Sequence, residues 1–456
     1  MKLKQTLHVI LLTFFCVCCD SKNQHTSTSV ENKDKVESII FPNQPEHVHG
    51  PTIVELDNGD MLAAWFQGSG ERWADDVSIM GARLKAGEEA WSETFVMADV
   101  PEFPDINPMM FMDQQNRLWL MWYTVLANQW ETSLLKYRIS ENPEGDAAPQ
   151  WNWQDDLLMK PGDKTERGIQ PNDRFVAAVQ SQTEEYEQYF KDSILTQLPQ
   201  EKAEEQLKAW ESLKVKRDSL VKGRNMVRGG RIYEGEAYTS ADLGYPISRR
   251  LGWQTKNKPF LMGERIIVPL YSDGLEAAIF AYSDDLGKHW HSSNPVVGGV
   301  GIQPTILQKK DGTLVAYLRD NGPEPYRMQY TVSTDSAESW SIPRDAELPN
   351  PGAGFDGVTL QNGNWLMVYN DTEDGRHSLA LALSEDEGKS WPYIRHLEQD
   401  NRGDQATQSH YPAIMQGKDG RIHIVYSFHH RDQEEDAKTI KYVSVDADWV
   451  KQGDGQ

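Results

Sequence analysis

The chain has 456 residues, with 69 acidic against 46 basic side chains and a formal charge of −23. That surplus argues against nucleic acid as a partner, because holding a polyanion takes clustered Lys and Arg. The 15 Trp suit a β-sheet core or a sugar-binding cleft, and the core is the commoner use of such rings.

The first element in chain order is an export signal over residues 1–18. Lys2 and Lys4 precede an apolar run that ends in "CVCCDSK" and is too short to span a bilayer. All three cysteines (Cys16, Cys18 and Cys19) lie there, so the mature chain is expected to hold no disulfide. Cys19 reads as a lipid-modified first residue followed by a tether over 19–37. This implies a protein of the cell envelope, periplasmic or on the cell surface, that meets the membrane only through its lipid.

From 38 to 449 the chain reads as one all-β catalytic domain. A Pro or small residue, an apolar strand, a Gly turn and a second apolar strand recur six times: "PTIVELDNGDMLAAWF", "NPMMFMDQQNRLWLMWY", "KPFLMGERIIVPLY", "QPTILQKKDGTLVAYL", "DGVTLQNGNWLMVY" and "YPAIMQGKDGRIHIVY". Each is a hairpin turning at Gly59, Asn116, Gly263, Gly312, Gly363 or Gly420. A third apolar run follows each hairpin, and in three places an octapeptide closes it: "SDDLGKHW", "STDSAESW" and "SEDEGKSW". Four strands per unit at about fifty-residue spacing predict a six-bladed β-propeller. "VESIIF" at 36–41 is expected to join the last blade and close the ring.

The interval between Asn116 and Gly263 is too long for one blade. Within it, residues 173–225 carry apolar side chains at helical spacing with a break near Pro199, which predicts a helical hairpin between blades 2 and 3. Such a hairpin is a solvated prop, or it overhangs the rim and narrows the cleft to chain ends, which favours exo action.

Chain direction then sorts the residues by rim. Positions just before strand one, after strand two and before strand three share a rim, opposite the octapeptides. That rim carries His49, Asp75, Asp76, Tyr271, Asp273, Gln303, Arg319, Asp356, Arg376, His377, His410, Tyr411 and His429. Arg presents a fork that meets a carboxylate in two hydrogen bonds, so two of them on one rim suit an acidic sugar.

The octapeptide is similar to the Asp box S-x-D-x-G-x-x-W of the sialidases, and the likeness extends over nearly all of the mature chain except the helical hairpin. The resemblance implies a sialidase-like propeller with no metal or cofactor. It makes Arg319 and Arg376 the second and third arginines that hold the substrate, Tyr411 the nucleophile, and Asp76 or Asp75 the general acid. Gln303, Asp75, Asp356 and His377 are expected as further substrate-binding positions. The pattern departs from the family in two places: His49 stands where the first Arg belongs, and "GGVGI" before Gln303 lacks the Glu that takes the Tyr proton. Tyr411 then needs another base, for which Glu324, Glu236 and His49 are the candidates.

The function expected is exo-acting hydrolysis at the terminal acidic sugar, uronic or sialic in type, of an oligosaccharide. Elimination at a uronic acid uses the same groups, with Arg319 and Arg376 neutralising the carboxylate and Tyr411 and His49 as base and acid. A non-catalytic glycan-binding propeller is the reading from another class.

Overall fold

The computed structural model describes residues 34–163, 173–222, 250–431 and 437–454. Cys19 and Glu236 lie outside the described residues, so neither the expected lipidation site nor that candidate base is placed. Asp34–Gln456 form one compact unit.

Strand β1 (Lys35–Ile39) precedes sheet one, made of β2 (His47–Glu55), β3 (Met61–Gly68), β4 (Ser78–Leu84) and β5 (Phe95–Ala98). Sheet two comprises β6 (Asp105–Met112), β7 (Leu118–Val125), β8 (Ser133–Ser140) and β9 (Trp153–Asp156). Sheet three comprises β10 (Phe260–Met262), β11 (Arg265–Ser272) and β12 (Ala277–Ser283), with β13 (His291–Ser292) and β14 (Val296–Val297) both pairing with β12. Sheet four is β15 (Gly301–Gln308), β16 (Leu314–Asp320), β17 (Arg327–Ser333) and β18 (Arg344–Pro349). Sheet five is β19 (Asp356–Thr359), β20 (Trp365–Tyr369), β21 (Ser378–Ser384) and β22 (Tyr393–Gln399). Sheet six runs β23 (Gln408–Gln416), β24 (Ile422–His430), β25 (Ala437–Val445), and then β1, antiparallel to β25 from Lys35↔Val445 to Ile39↔Lys441. The expected closure of the ring by the N-terminal strand is therefore present, and it begins within the segment read as tether.

All six hairpin turns place their predicted residue in the left-handed region, from Asn116 at φ 56° to Gly312 at φ 90°. Each turn needs positive φ, which Gly adopts without cost and Asn at little. Neighbouring sheets bury their faces against one another, and Trp65, Trp119, Trp122 and Trp365 are fully buried between them. Most of the tryptophan content is thus spent on the core.

The octapeptides are turn locks. Ser384 Oγ accepts from Gly388 N at 2.8 Å and donates to Asp386 Oδ1 at 2.8 Å, while Asp386 Oδ1 accepts from Ser390 N at 2.9 Å. The boxes at Ser283 and Ser333 repeat this arrangement.

Helices α1 (Arg174–Tyr189) and α2 (Gln200–Lys222) form the expected insertion between sheets two and three. Asp173 caps α1 by accepting from Phe175 N at 2.8 Å. Phe175, Val176, Val179, Gln182 and Tyr186 make the buried stripe of α1. The hairpin leans on sheets three and four, where Gln182 Oε1 accepts from Val297 N and Tyr189 Oη accepts from Asp345 N. A short helix α3 (Ala447–Lys451) ends the fold. No helix among the described residues is long and apolar enough to cross a membrane.

Candidate active site

The inner strands β2, β6, β15, β19 and β23 surround the axis, and four of them bend at the same place. A register shift interrupts β2 after His49, β6 after Ile106, β15 after Ile302 and β23 after His410. The residue at each bulge precedes a proline and has positive φ: Gly50 at 59°, Asn107 at 48°, Gln303 at 52° and Tyr411 at 47°. For a side chain bearing Cβ this region costs about 1–2 kcal/mol, and such strain collects at functional sites. Asn107, Gln303 and Tyr411 all line one cleft of about 290 Å³, while Gly50 leaves room for Asn107.

The phenolic oxygen of Tyr411 accepts two hydrogen bonds, from Arg319 Nη1 at 3.0 Å and from Gln303 Nε2 at 3.0 Å. No acceptor for the hydroxyl's own proton stands among the described residues. Behind it lies a lattice of tyrosines and amides. Gln303 Nε2 also reaches Tyr271 Oη at 3.3 Å, and Asn107 Nδ2 joins Tyr123 Oη at 3.2 Å to Tyr271 Oη at 3.4 Å. Burial holds both the Tyr123 and Tyr271 hydroxyls well above the usual range, so they stay protonated.

The His49 ring lies 4.2 Å from that of Tyr411, tilted by 38°. His410 and His429 pack behind it, with their ring centres 4.5 Å apart. Burial, with the crowding of neighbouring imidazoles and Arg376, holds His49 and His410 well below 6.5, and burial brings His429 down to about 4 against the hydrogen bond to Val48 O. These imidazoles are neutral at physiological pH. Arg376 joins them, pairing Nη1 with His410 Nδ1 at 2.7 Å and donating from Nη2 to Gly352 O at 3.1 Å. Its guanidinium sits 5.8 Å from the centre of the Tyr411 ring.

Glu71, Arg72, Asp273 and Arg319 supply the charge in the cleft wall. Burial raises Asp273 to about 6, with Arg319 pulling the other way. Segment 254–258 threads the axis. Lys256 Nζ donates to Pro412 O at 2.6 Å and to Phe355 O at 3.0 Å, and Asn257 Nδ2 donates to Gln303 O at 3.1 Å. Burial lowers the Lys256 ammonium to about 7. Lys256 and Asn257 thereby pin the backbone at two of the strained bulges.

Of the residues singled out from sequence, the structure gathers His49, Gln303, Arg319 and Tyr411 around one cleft, with Tyr271 and Asp273 from the same rim. Arg376 lies behind Tyr411 and is not a lining residue. Asp76 departs from expectation, since its carboxylate accepts from Ser69 N at 3.1 Å and Ser69 Oγ at 2.8 Å, outside the cleft lining, and Asp75 is exposed nearby. The reason is local: residues 69–77 are a loop of bends and turns, so strand alternation does not aim their side chains. Glu71 of the same loop faces the cleft instead. Asp356 is a structural hub, accepting from Thr305 Oγ1 at 2.7 Å, Lys258 Nζ at 2.7 Å and Ile414 N at 3.0 Å, and so ties three sheets together. His377 sits beyond Arg376, off the cleft lining, and Glu324 is paired with Lys202 of α2 at 2.5 Å. Sequence reading missed Glu71, Arg72, Asn107, Tyr123 and Lys256. The X-Pro bulge positions would have flagged Asn107, because Asn tolerates positive φ.

A family model described as the BNR repeat-like domain matches residues 59–169 and 250–424. An anhydrosialidase of Macrobdella decora is 30% identical over 122 residues, which are 26% of this chain and 15% of that relative's length. Among solved structures, an intramolecular trans-sialidase from Ruminococcus gnavus superposes with a TM-score of 0.55 at 15% identity, covering 91% of this chain and 98% of that one. A Dyadobacter fermentans protein of unknown function superposes with a TM-score of 0.57 at 13% identity, covering 90% and 98%. At such identities the structural likeness shows the fold, and the matched family model spans more than half of the chain. The chain belongs to the BNR repeat-like domain family, and it folds as a sialidase-like six-bladed β-propeller.

Proposed function

We propose that the chain is an exo-acting enzyme on the terminal acidic sugar of an oligosaccharide, and that it hydrolyses the glycosidic bond with Tyr411 as nucleophile. The observation that carries this reading is the Tyr411 oxygen held at 3.0 Å by both Arg319 and Gln303. As the proton passes to the neutral His49 imidazole, whose ring lies 4.2 Å from that of Tyr411, the negative charge that develops on the phenol is met by a fixed guanidinium. A phenol suits attack at an anomeric carbon bearing a carboxylate, because a carboxylate nucleophile would be repelled. Arg319 and Arg72 are the lining cations available to the substrate's acid group. Asp273, raised to about 6 by burial, is the proton donor to the leaving oxygen. Export and lipidation at Cys19 belong to the same proposal, which metabolic labelling with a fatty acid, comparing wild type with Cys19→Ala, would test.

Elimination at a uronic acid is the second reading, favoured by two features. An amide, Gln303, stands against Tyr411 where a general base would be expected, and the neutral His49 ring lies beside it. One experiment separates the two. Sialate-, glucuronate- and iduronate-ended oligosaccharides are incubated with the protein while free sugar and the ultraviolet absorbance of an unsaturated uronate are followed. Hydrolysis gives sugar without absorbance. Absorbance growing first overturns it in favour of elimination, and binding without either product leaves only a glycan-binding module.

A further inference from the structure

Thr255, Lys256 and Asn257 lie in the axial segment between α2 and β10, outside any blade strand, and all three are buried. Their side chains go to the bulges of the inner strands. Thr255 Oγ1 donates to Asn107 O at 2.7 Å, Lys256 Nζ to Pro412 O at 2.6 Å, and Asn257 Nδ2 to Gln303 O and Pro304 O, both at 3.1 Å. Residues 107–108, 303–304 and 411–412 are the pairs that the register shifts leave without a register partner. A buried carbonyl that has lost its place in a ladder needs another donor, and the axial segment supplies one at each of these three bulges. The fourth bulge, Gly50–Pro51, receives none of these bonds, and there the residue at positive φ is a glycine, which adopts it without strain. The donors thus go where a side chain of the cleft is held at positive φ.

Lys256 does more than the other two. Its Nζ also donates to Phe355 O at 3.0 Å, so one side chain joins the residue after Tyr411 to the residue after Gly354. Gly354 packs so closely on the Tyr411 ring that a Cβ there would come within 2.6 Å of the ring's Cδ1 and 3.0 Å of Gln303 Oε1. Lys256 therefore ties the backbone that carries the phenol to the strip on which its ring rests. It lies outside the cleft lining and so touches no substrate held there. An apolar side chain of the same volume would fill the axis at lower desolvation cost, but it would hold neither carbonyl.

We infer that Lys256 is a positioning residue for Tyr411, setting the strained backbone and the ring support that aim the phenol at Arg319 and Gln303. Its bearing on turnover rests on the reading of Tyr411 given above, whereas its bearing on the ring does not. The test uses NMR of the full chain with tyrosine isotopically labelled at Cζ, the Tyr411 signal being assigned by its loss in Tyr411→Phe. Wild type is expected to give a single Tyr411 signal. In Lys256→Met, of similar volume without a donor, that signal shifts or splits, and kcat on an acidic oligosaccharide falls about a hundredfold with KM within about threefold. Lys256→Gln keeps a donor on a chain one bond shorter, reaches one carbonyl at most, and loses about tenfold in kcat. Lys258→Met is the control: it removes an ammonium of the same segment, bonded to Asp356 and Gly357 O, and should lower the unfolding temperature while kcat stays within about threefold and the Tyr411 signal is unmoved. Thermal unfolding shows which variants are folded, and Lys256→Gln carries the test if Lys256→Met is not. An unmoved Tyr411 signal in a folded Lys256 variant overturns the inference, as does a raised KM at constant kcat or an equal change in Lys258→Met. Failure of both Lys256 variants to fold assigns the residue to stability and overturns it too. If the wild type turns over no acidic substrate, the cleft reading fails, and the Tyr411 signal alone decides the positioning role.

Discussion

Arg319 Nη1 lies 3.0 Å from Tyr411 Oη although the two residues come from different sheets, β16 and β23. Tyr411→Phe is therefore expected to lower kcat by about a thousandfold or more while leaving affinity for the acidic sugar within a few fold. Arg319→Lys keeps the charge but loses the fork, and kcat/KM should drop about a hundredfold. Steady-state kinetics beside calorimetric binding of the free acidic sugar checks both.

Asp273 carries the second prediction. With its carboxyl raised to about 6, the protonated form is the active one, so the rate should fall as pH rises through that value. Asp273→Asn should cost about a hundredfold on natural oligosaccharides and far less on aryl glycosides, whose leaving group needs no proton. Asp76→Asn, altering a carboxylate turned to Ser69, should stay within about threefold on both substrates.

The buried imidazoles set a stability limit on the acid side. His429 falls from 6.5 to about 4 on folding, so the unfolded chain takes up the proton first. Its share of stability is complete above about pH 6.5 and drains as pH falls from there toward 4. Replacement by Leu forfeits the hydrogen bond from Nε2 to Val48 O at 3.1 Å, a cost of about 1 kcal/mol at pH 7.5. Between pH 6.5 and 5 the wild type should lose about 2 kcal/mol more than His429→Leu. Urea unfolding at both pH values measures the difference.

Gly388 tests the Asp box as a structural device. Its φ is 80°, and a Cβ there would lie 2.5 Å from Tyr317 Oη and 2.7 Å from Trp365. Gly388→Ala should destabilise by about 2–4 kcal/mol with the kinetics of the folded fraction unchanged. Ala337 fills the equivalent place at φ 73°, buried against sheet neighbours that leave room for it. Activity lost in step with the folded fraction is the expected outcome, and loss in fully folded protein would contradict it.

How far the primary structure spoke depended on periodicity. Turn residues such as Gly312 and the Ser384 box repeat at fixed offsets, and chain direction alone then puts Arg319, Gln303, His49 and Tyr411 on one rim. Where no period exists, side-chain positions are not legible in the sequence. Asp76 lies in an irregular loop whose side-chain directions no repeat dictates, and it is Glu71 of that loop that reaches the cleft wall. Lys256 belongs to an axial segment that resembles no blade strand, yet it bonds to the backbone of Phe355 and Pro412. Arg376 was read as a substrate ligand from its rim position, and only side-chain packing reveals its partner as His410.

The pairing of β1 with β25 also governs when the molecule can fold. Strands from opposite ends of the chain complete sheet six, so the ring stays open until the last strand has been made. Contacts of that sequence separation carry the largest loop-closure penalty and form late. A partly synthesised chain therefore holds five sheets without a sixth, with the inner faces of β2 and β19 still lacking β23. The same joint that supplies the outer strand of sheet six in the finished protein leaves β25 uncovered in the unfinished one, and uncovered strands and sheet faces are what make partly folded chains prone to aggregate.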